Sequence, residues 1–151
     1  MDEKNFITFI DLGKHTVKAG SYNYETKKIE SILEVKADDN FLTEDNTFIE
    51  NIVFEIEKRS LSSRTILHSF DWELLEECSR LAPNMPRSYL SQLPESSNDP
   101  FDKPPEEISP DFSSLNKSIP EAIQVAGGHL WCPYFKDVTI DLVTEAHKLG
   151  L

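Results

Sequence analysis

The chain has 151 residues, a length that suits one domain. Its hydrophobic fraction of 38% and aromatic fraction of 10% are typical of a globular protein and exclude a wholly disordered chain. The net charge of −12 argues against binding to a nucleic-acid backbone, which needs clustered Lys and Arg.

The cysteines and the N-terminus carry no recognisable site or signal. Cys78 and Cys132 are far apart and lack CxxC spacing, so they predict neither a zinc site nor a disulfide framework. The apolar run Phe6–Ile10 is too short for a signal peptide or a membrane span. These features favour a cytoplasmic location.

The first part of the chain predicts three strands in succession. They cover Ile7–Ile10, Thr16–Tyr24 and Ile29–Val35. The first two are joined by a turn at Asp11-Leu12-Gly13 and form a β-hairpin. We therefore treat residues 1–31 as an N-terminal hairpin unit.

A helix is predicted over Phe48–Arg59. Apolar residues recur there at helical spacing, and Thr47 with Glu50 fits a capping box. Lys58 and Arg59 lie in the last turn, where the helix dipole favours cations.

Strand and helix then alternate to the C-terminus. Strands are predicted at Thr65–Leu67, Ser88–Leu90 and His129–Cys132. Three helices are expected: one capped by Asp71 and ending near Leu81, one over Pro120–Ala126, and one over Val138–Leu149 with Gly150 as its C-terminal cap. Such alternation predicts a parallel sheet, either a barrel or an open doubly wound sheet.

The segment Leu93–Ser118 differs from the rest of the chain. It is rich in proline, and from Pro94 to Asp111 it holds six acidic residues and one lysine. This composition predicts a long, partly disordered loop insertion. We expect limited proteolysis to cut there first.

Glu34 and Lys36 form the first candidate site. Residues two apart in a strand share a face, and these two stand at the carboxyl end of the predicted strand. In a (β/α) barrel that end carries the active site, where a carboxylate can hold a divalent cation and an ammonium can neutralise a phosphate oxygen. A surface ion pair is the simpler interpretation of the same spacing.

An ordered series of short segments, from about Ile32 to the C-terminus, resembles the second half of glycerophosphodiester phosphodiesterases. In that family an E-x-K strand precedes a helix and then a strand ending in Ser-Phe-Asp. The matching segments here are Ile32-Leu-Glu-Val-Lys36, Arg64-Thr-Ile-Leu-His-Ser-Phe-Asp71, Leu74-Leu-Glu-Glu77, Leu81-Ala-Pro83, Tyr89-Leu90, Trp131-Cys-Pro133 and Thr144-Glu-Ala-His-Lys-Leu-Gly150.

The resemblance implies an α/β fold, an incomplete (β/α)8 barrel over residues 32–151 with outer helices. It implies metal-assisted hydrolysis of a glycerophosphodiester to glycerol 3-phosphate and an alcohol. Glu34 matches the metal ligand for Ca²⁺ or Mg²⁺, and Lys36 matches the catalytic lysine. Phe70 and Trp131 would contact substrate near the barrel mouth, although plain packing also explains both.

The sequence also departs from the family pattern. The His-Arg-Gly strand, the Glu-Asn segment and the E-x-D ligand pair of the family have no counterpart before Glu34, and His15 is the only histidine there. The family's final Trp-Thr-x-Asn strand also has no counterpart. We therefore expect the chain alone to be incomplete and inactive and to bind metal weakly; a partner chain could complete the barrel.

The N-terminus resembles a second family. Phe9-Ile-Asp-Leu-Gly-Lys-His-Thr-Val-Lys-Ala-Gly-Ser21 is similar to the first phosphate-binding hairpin of actin-like cell-division ATPases. Asp11, Gly13 and Lys18 would carry that role, and a junction near Thr26–Ile32 would join two unrelated pieces. The alternative function is thus a non-enzymatic nucleotide-binding or interaction module, although an ordinary hairpin fits the same residues.

Overall fold

The computed structural model describes residues 6–13, 16–36, 47–93, 110–111 and 115–151, with the backbone alone for 31–36 and 47–48. Its strands form one six-stranded sheet in the order β3-β2-β1-β4-β5-β6. The strands are β1 (Phe6–Leu12), β2 (Thr16–Asn23), β3 (Lys28–Lys36), β4 (Thr65–Ser69), β5 (Arg87–Ser91) and β6 (Leu130–Pro133).

The first three strands form an antiparallel meander. β1 pairs with β2 and β2 pairs with β3, both antiparallel. The β2–β3 turn is held by Asn23, whose side-chain oxygen accepts hydrogen bonds from the backbone N–H groups of Glu25 (2.8 Å) and Thr26 (3.1 Å). Lys27 completes the turn with a φ of 55°. A connection this short can join only antiparallel neighbours.

The observed strand order differs in one detail from the sequence prediction. The strand carrying Glu34 and Lys36 was expected to belong to the parallel series. Instead, it pairs with β2, and β1 rather than β3 lies beside β4. The expected junction near Thr26–Ile32 falls within this meander.

Strands β4, β5 and β6 are parallel, as predicted, and β1 joins them although it was expected only in the N-terminal hairpin. β1 pairs with β4, β4 with β5, and β5 with β6, all in parallel register. One helix connects β4 to β5 and another connects β5 to β6, so these strands form β-α-β units. The predicted mixed α/β fold, resembling part of a TIM barrel with helices beside the sheet, is confirmed.

The helices begin and end near the predicted residues. Asp71 caps the second helix by accepting from the Glu73 N–H at 3.0 Å, and Ser118 caps the third. Gly150 ends the fourth with a φ of 84°, as expected for a left-handed cap. The helices are α1 (Thr47–Lys58), α2 (Trp72–Leu81), α3 (Ile119–Val125) and α4 (Ile140–Leu149).

One face of the sheet packs against helices to form the core. Register places Ile10 beside Leu67 on this face. Tyr89 of β5 joins the same cluster, and its ring meets that of Trp72 edge to face at 5.0 Å. The buried helix residues of the cluster are Ile49, Val53, Ile56, Trp72, Leu75, Cys78, Ala122 and Ile123.

Cys78 is buried, as its place on the apolar stripe predicts, and burial raises its thiol pKa to about 12. Among the described residues, no helix has both the length and the apolar character needed to cross a membrane. Most of the predicted loop Leu93–Ser118 lies outside the described residues, so its expected disorder stays a prediction.

Candidate active site

A row of polar residues crosses the sheet on the face opposite the core, at the carboxyl ends of β1 and β4 and near the amino end of β5. Asp11 pairs in register with His68, and His68 pairs with Ser88. Side chains alternate along a strand, and Ile10 and Leu67 point into the core. Asp11, His68 and Ser88 therefore lie side by side on the other face of three adjacent strands.

Asp11 and His68 are the two titratable groups of this row. The Nε2 atom of His68 lies 4.0 Å from Oδ1 of Asp11, and the side chains are 24% and 36% exposed, respectively. Burial lowers the pKa of His68, while the negative charge of Asp11 raises it in part. The balance favours a neutral imidazole near neutral pH, one that can accept or relay a proton.

The ends of β1 and β4 are fixed to each other by a side chain. The Ser69 hydroxyl donates to the Leu12 carbonyl and accepts from the Asp71 N–H at 2.9 Å. Ser69 is fully buried, so these bonds are shielded from water. Asp11 and His68, one residue earlier on each strand, are thereby held at a fixed separation.

Glu34 and Lys36 lie where the sequence predicted, in the carboxyl half of their strand. Glu34 pairs in register with Lys18, and Lys36 with Thr16. Because Lys18 in turn pairs with Asp11, the register runs from Glu34 through Lys18 and Asp11 to His68. The Glu34 position is therefore in line with the Asp11–His68 pair, two strands away from Asp11.

The structure does not bring the four predicted site residues together. Four strands separate β3, with Glu34 and Lys36, from β6, with Trp131. Trp131 packs against the core, and its Nε1 donates to Ser91 Oγ at 2.9 Å. Phe70 is half-buried directly after β4. The packing environment of Trp131 accounts for that residue, whereas the role of Phe70 stays a prediction.

The metal implied by the family resemblance was tested against the available ligands. Within the described part of the chain, no three or more His, Cys, Asp or Glu side chains are grouped closely enough to hold a metal ion. Calcium takes about 6–8 oxygen ligands, and magnesium needs near-octahedral geometry. The side chain of Glu34 lies outside this finding, because the structure describes only the backbone there, so Glu34 stays a predicted ligand and we derive no step through either ion.

Comparison with solved structures shows which proteins the chain is similar to. A candidate glycerophosphoryl diester phosphodiesterase from Silicibacter pomeroyi DSS-3 is 46% identical, with a TM-score of 0.58, and the match covers 69% of this chain and 31% of that one. The chain resembles the glycerophosphodiester phosphodiesterases. This confirms the resemblance predicted from its sequence. No family profile matches the chain, and no curated protein matches it significantly.

Two more distant phosphodiesterase structures share the fold. A candidate glycerophosphodiester phosphodiesterase from Galdieria sulphuraria is 16% identical, with a TM-score of 0.53, covering 76% of this chain and 38% of its own. Another from Agrobacterium tumefaciens C58 is 12% identical, with a TM-score of 0.55, and the match covers 95% of this chain and 69% of that one. The chain thus spans about a third of the length of the first two phosphodiesterases it matches.

The Asp11–His68 pair is the feature that sequence analysis missed. Asp11 was assigned to a phosphate hairpin, and His68 was given no role of its own within the matching segment Arg64–Asp71. Only the parallel pairing of β1 with β4 brings them together. A signal was present, since each residue directly follows a predicted strand, Ile7–Ile10 or Thr65–Leu67.

Proposed function

We propose that this chain is a phosphoric diester hydrolase relative, able to bind a glycerophosphodiester but inactive as a hydrolase by itself. The observation that carries the class is the 46% identity with a phosphodiesterase structure over 69% of the chain. The parallel strands β4, β5 and β6 support it, because ligands of parallel sheets bind at the carboxyl ends of the strands.

In this proposal Lys36 contacts the substrate phosphate and Glu34 a divalent cation, either Ca²⁺ or Mg²⁺. Their place in the carboxyl half of β3 supports these roles. Phe70 and Trp131 remain the proposed substrate-contacting aromatics. We further propose a cytoplasmic protein whose barrel is completed by a partner chain.

The lack of turnover follows from the chemistry of the groups that meet at this end of the sheet. Phosphodiester hydrolysis needs an activated water, charge neutralisation on the phosphate and a proton for the leaving alkoxide. In the described residues one carboxylate and one imidazole meet there, 4.0 Å apart. Each positioned acid or base contributes about 10²–10⁴-fold, so a partial set leaves the reaction slow.

Binding can be tested without turnover. Glycerophosphocholine is titrated into the chain by calorimetry, with Ca²⁺ or Mg²⁺ present, using wild type, Glu34→Gln and Lys36→Ala. We expect Lys36→Ala to weaken binding, because it removes the phosphate cation. Lys28→Ala is the matched control, since Lys28 lies at the amino end of the same strand. Equal affinity of Lys36→Ala and Lys28→Ala would contradict the proposed site.

The nucleotide-binding alternative is favoured by one observation. The hairpin of β1 and β2 is central in the sheet rather than appended to it, and Asp11 lies opposite Lys18 across the hairpin. Its turn is tight, with the Gly13 N–H donating to the Thr16 carbonyl at 2.8 Å. Titration with Mg-ATP tests it: binding lost in Lys18→Ala but retained in Lys36→Ala would favour this function over the first.

A further inference from the structure

The two edges of the sheet differ in how they are protected from pairing with another chain. β3 forms one edge and β6 the other, and an edge strand presents unpaired N–H and C=O groups. Charged residues discourage such pairing, and the sequence of β3 holds four of them: Lys28, Glu30, Glu34 and Lys36. The sequence of β6, Leu-Trp-Cys-Pro, holds none. The β6 edge is therefore the less protected of the two.

The backbone groups of Leu130 and Cys132 point away from β5 at this edge. The N–H of His129 donates to the Arg87 carbonyl at 3.1 Å, so alternation along the strand directs Leu130 and Cys132 the other way. Pro133, which lacks an N–H, falls at a position directed towards β5. Within the part of the chain that the structure describes, no hydrogen bond engages the outward groups of Leu130 and Cys132. They are available to a further strand.

The surface at this edge is apolar and carries no negative charge of its own. Leu130 and Cys132 are exposed on the face opposite the core. Phe135, two residues after the strand, is 71% exposed. Residues 129–136 include one lysine and no acidic residue, in a chain whose net charge is −12. Two copies of so acidic a chain repel each other, and this stretch lets them meet with the least repulsion.

A second copy of the chain fits this edge through a two-fold axis. When β6 pairs antiparallel with β6 of the second copy about Trp131, Leu130 of each copy lies opposite Cys132 of the other. Each of these pairs exchanges two backbone hydrogen bonds, so the register uses every outward N–H and C=O group of Leu130 and Cys132. A contact of this isologous kind closes after two copies and does not continue into a fibre.

We propose that this chain forms a two-fold symmetric dimer in which β6 of one copy pairs antiparallel with β6 of the other. The strand has four residues, so we expect the dimer to be in reversible exchange with the single chain. The proposal does not depend on phosphodiester binding. A partner chain that completed the barrel would pair along the same edge, so the dimer and the completed barrel are alternative assemblies.

Sedimentation equilibrium of the full chain over a range of concentrations tests for the dimer. Leu130→Lys adds to β6 the kind of charge that protects natural edge strands. Ile29→Lys is the matched control, since Ile29 is an exposed apolar residue of the opposite edge strand, β3. Both substitutions change the net charge equally, so a difference between them does not come from overall repulsion. Circular dichroism verifies that each variant is folded.

Crosslinking provides a second measurement on the unaltered chain. In the proposed register the Cys132 residues of the two copies are diagonal neighbours, roughly 7–8 Å apart. A bismaleimide with a spacer of about this length should join them. Cys78 is buried and should not react, and Cys132→Ser should abolish the crosslink.

The proposal predicts that the average mass of wild type and of Ile29→Lys rises from that of one chain towards that of two as concentration increases. Leu130→Lys should weaken the dimer at least about tenfold, because it places like charges near each other across the two-fold axis. A wild type that stays a single chain at every concentration would overturn the proposal. So would equal dissociation of the two lysine variants, or a crosslink that persists in Cys132→Ser.

Discussion

The backbone N–H of Arg87 donates to Nδ1 of His129 at 3.4 Å, joining the amino ends of β5 and β6. The guanidinium of Arg87, in turn, donates to the Gly127 carbonyl at 2.9 Å. Arg87 is buried, so its positive charge is poorly screened. Protonation of His129 would remove the acceptor and place a second cation beside this charge.

We therefore predict that His129 titrates below its ordinary pKa of 6.5. Partial desolvation of the imidazole is the larger cause that lowers this pKa, and the positive charge of Arg87 lowers it further. The unfolded chain then takes up the proton before the folded one as the pH falls. The free energy of unfolding should be constant above about pH 6.5 and decline as the pH falls towards the lowered pKa.

NMR titration gives the pKa directly, and urea unfolding between about pH 7.5 and pH 5 gives the stability. His129→Gln should make the decline shallower. Part of this decline should remain in the variant, because the pKa of His68 is also lowered. A His129 pKa at or above 6.5, or an unchanged slope in His129→Gln, would refute this prediction.

Gly128 makes a close approach to the core that a larger residue would block. A Cβ atom added there would lie 2.5 Å from Ile123 Cγ2 and 2.8 Å from Tyr89 Cδ2. Both side chains are fully buried and have no room to move. We expect Gly128→Ala to lower the free energy of unfolding by about 1–3 kcal/mol.

Gly150→Ala serves as the comparison for this substitution, measured by the same denaturant unfolding. A Cβ at Gly150 meets nothing within 4 Å, so only its left-handed φ of 84° opposes the change. That strain costs roughly 1 kcal/mol. If Gly128→Ala proved no more destabilising than Gly150→Ala, the close packing of β5 against α3 would be wrong.

The cap of α2 gives a third prediction. The Asp71 carboxylate accepts from the Glu73 N–H at 3.0 Å and satisfies one free donor of the first turn. Asp71→Ala should lower the free energy of unfolding by about 0.5–2 kcal/mol, whereas Asp71→Asn retains an oxygen acceptor and should change it less. If thermal unfolding showed the same loss of stability in Asp71→Ala and Asp71→Asn, the side-chain oxygen would not be acting as a cap.

Local sequence signals were sufficient to predict most of the helices and strands. The apolar stripe of α1, the Asp71 cap and the Gly150 terminator are all short-range features, and the structure places α1, α2 and α4 accordingly. Strand neighbours were harder, because they depend on long-range pairing. The insertion of β1 and β2 between β3 and β4 could not be read from strand–helix alternation alone.

The candidate site shows the same limit. The E-x-K pair of Glu34 and Lys36 is contained in one strand, so sequence predicted its position at the carboxyl end. The Asp11–His68 pair joins two strands that are distant in the chain, and no spacing rule connects them. Their proximity emerges only when the sheet is assembled.

We propose that this chain, although similar to phosphodiesterases, does not hydrolyse a glycerophosphodiester by itself. The most direct test is release of glycerol 3-phosphate from glycerophosphocholine by the purified chain, with Ca²⁺ or Mg²⁺ present. We predict no turnover above the uncatalysed background. Turnover that survives purification and disappears in Lys36→Ala would contradict the claim and show that the chain is an active enzyme.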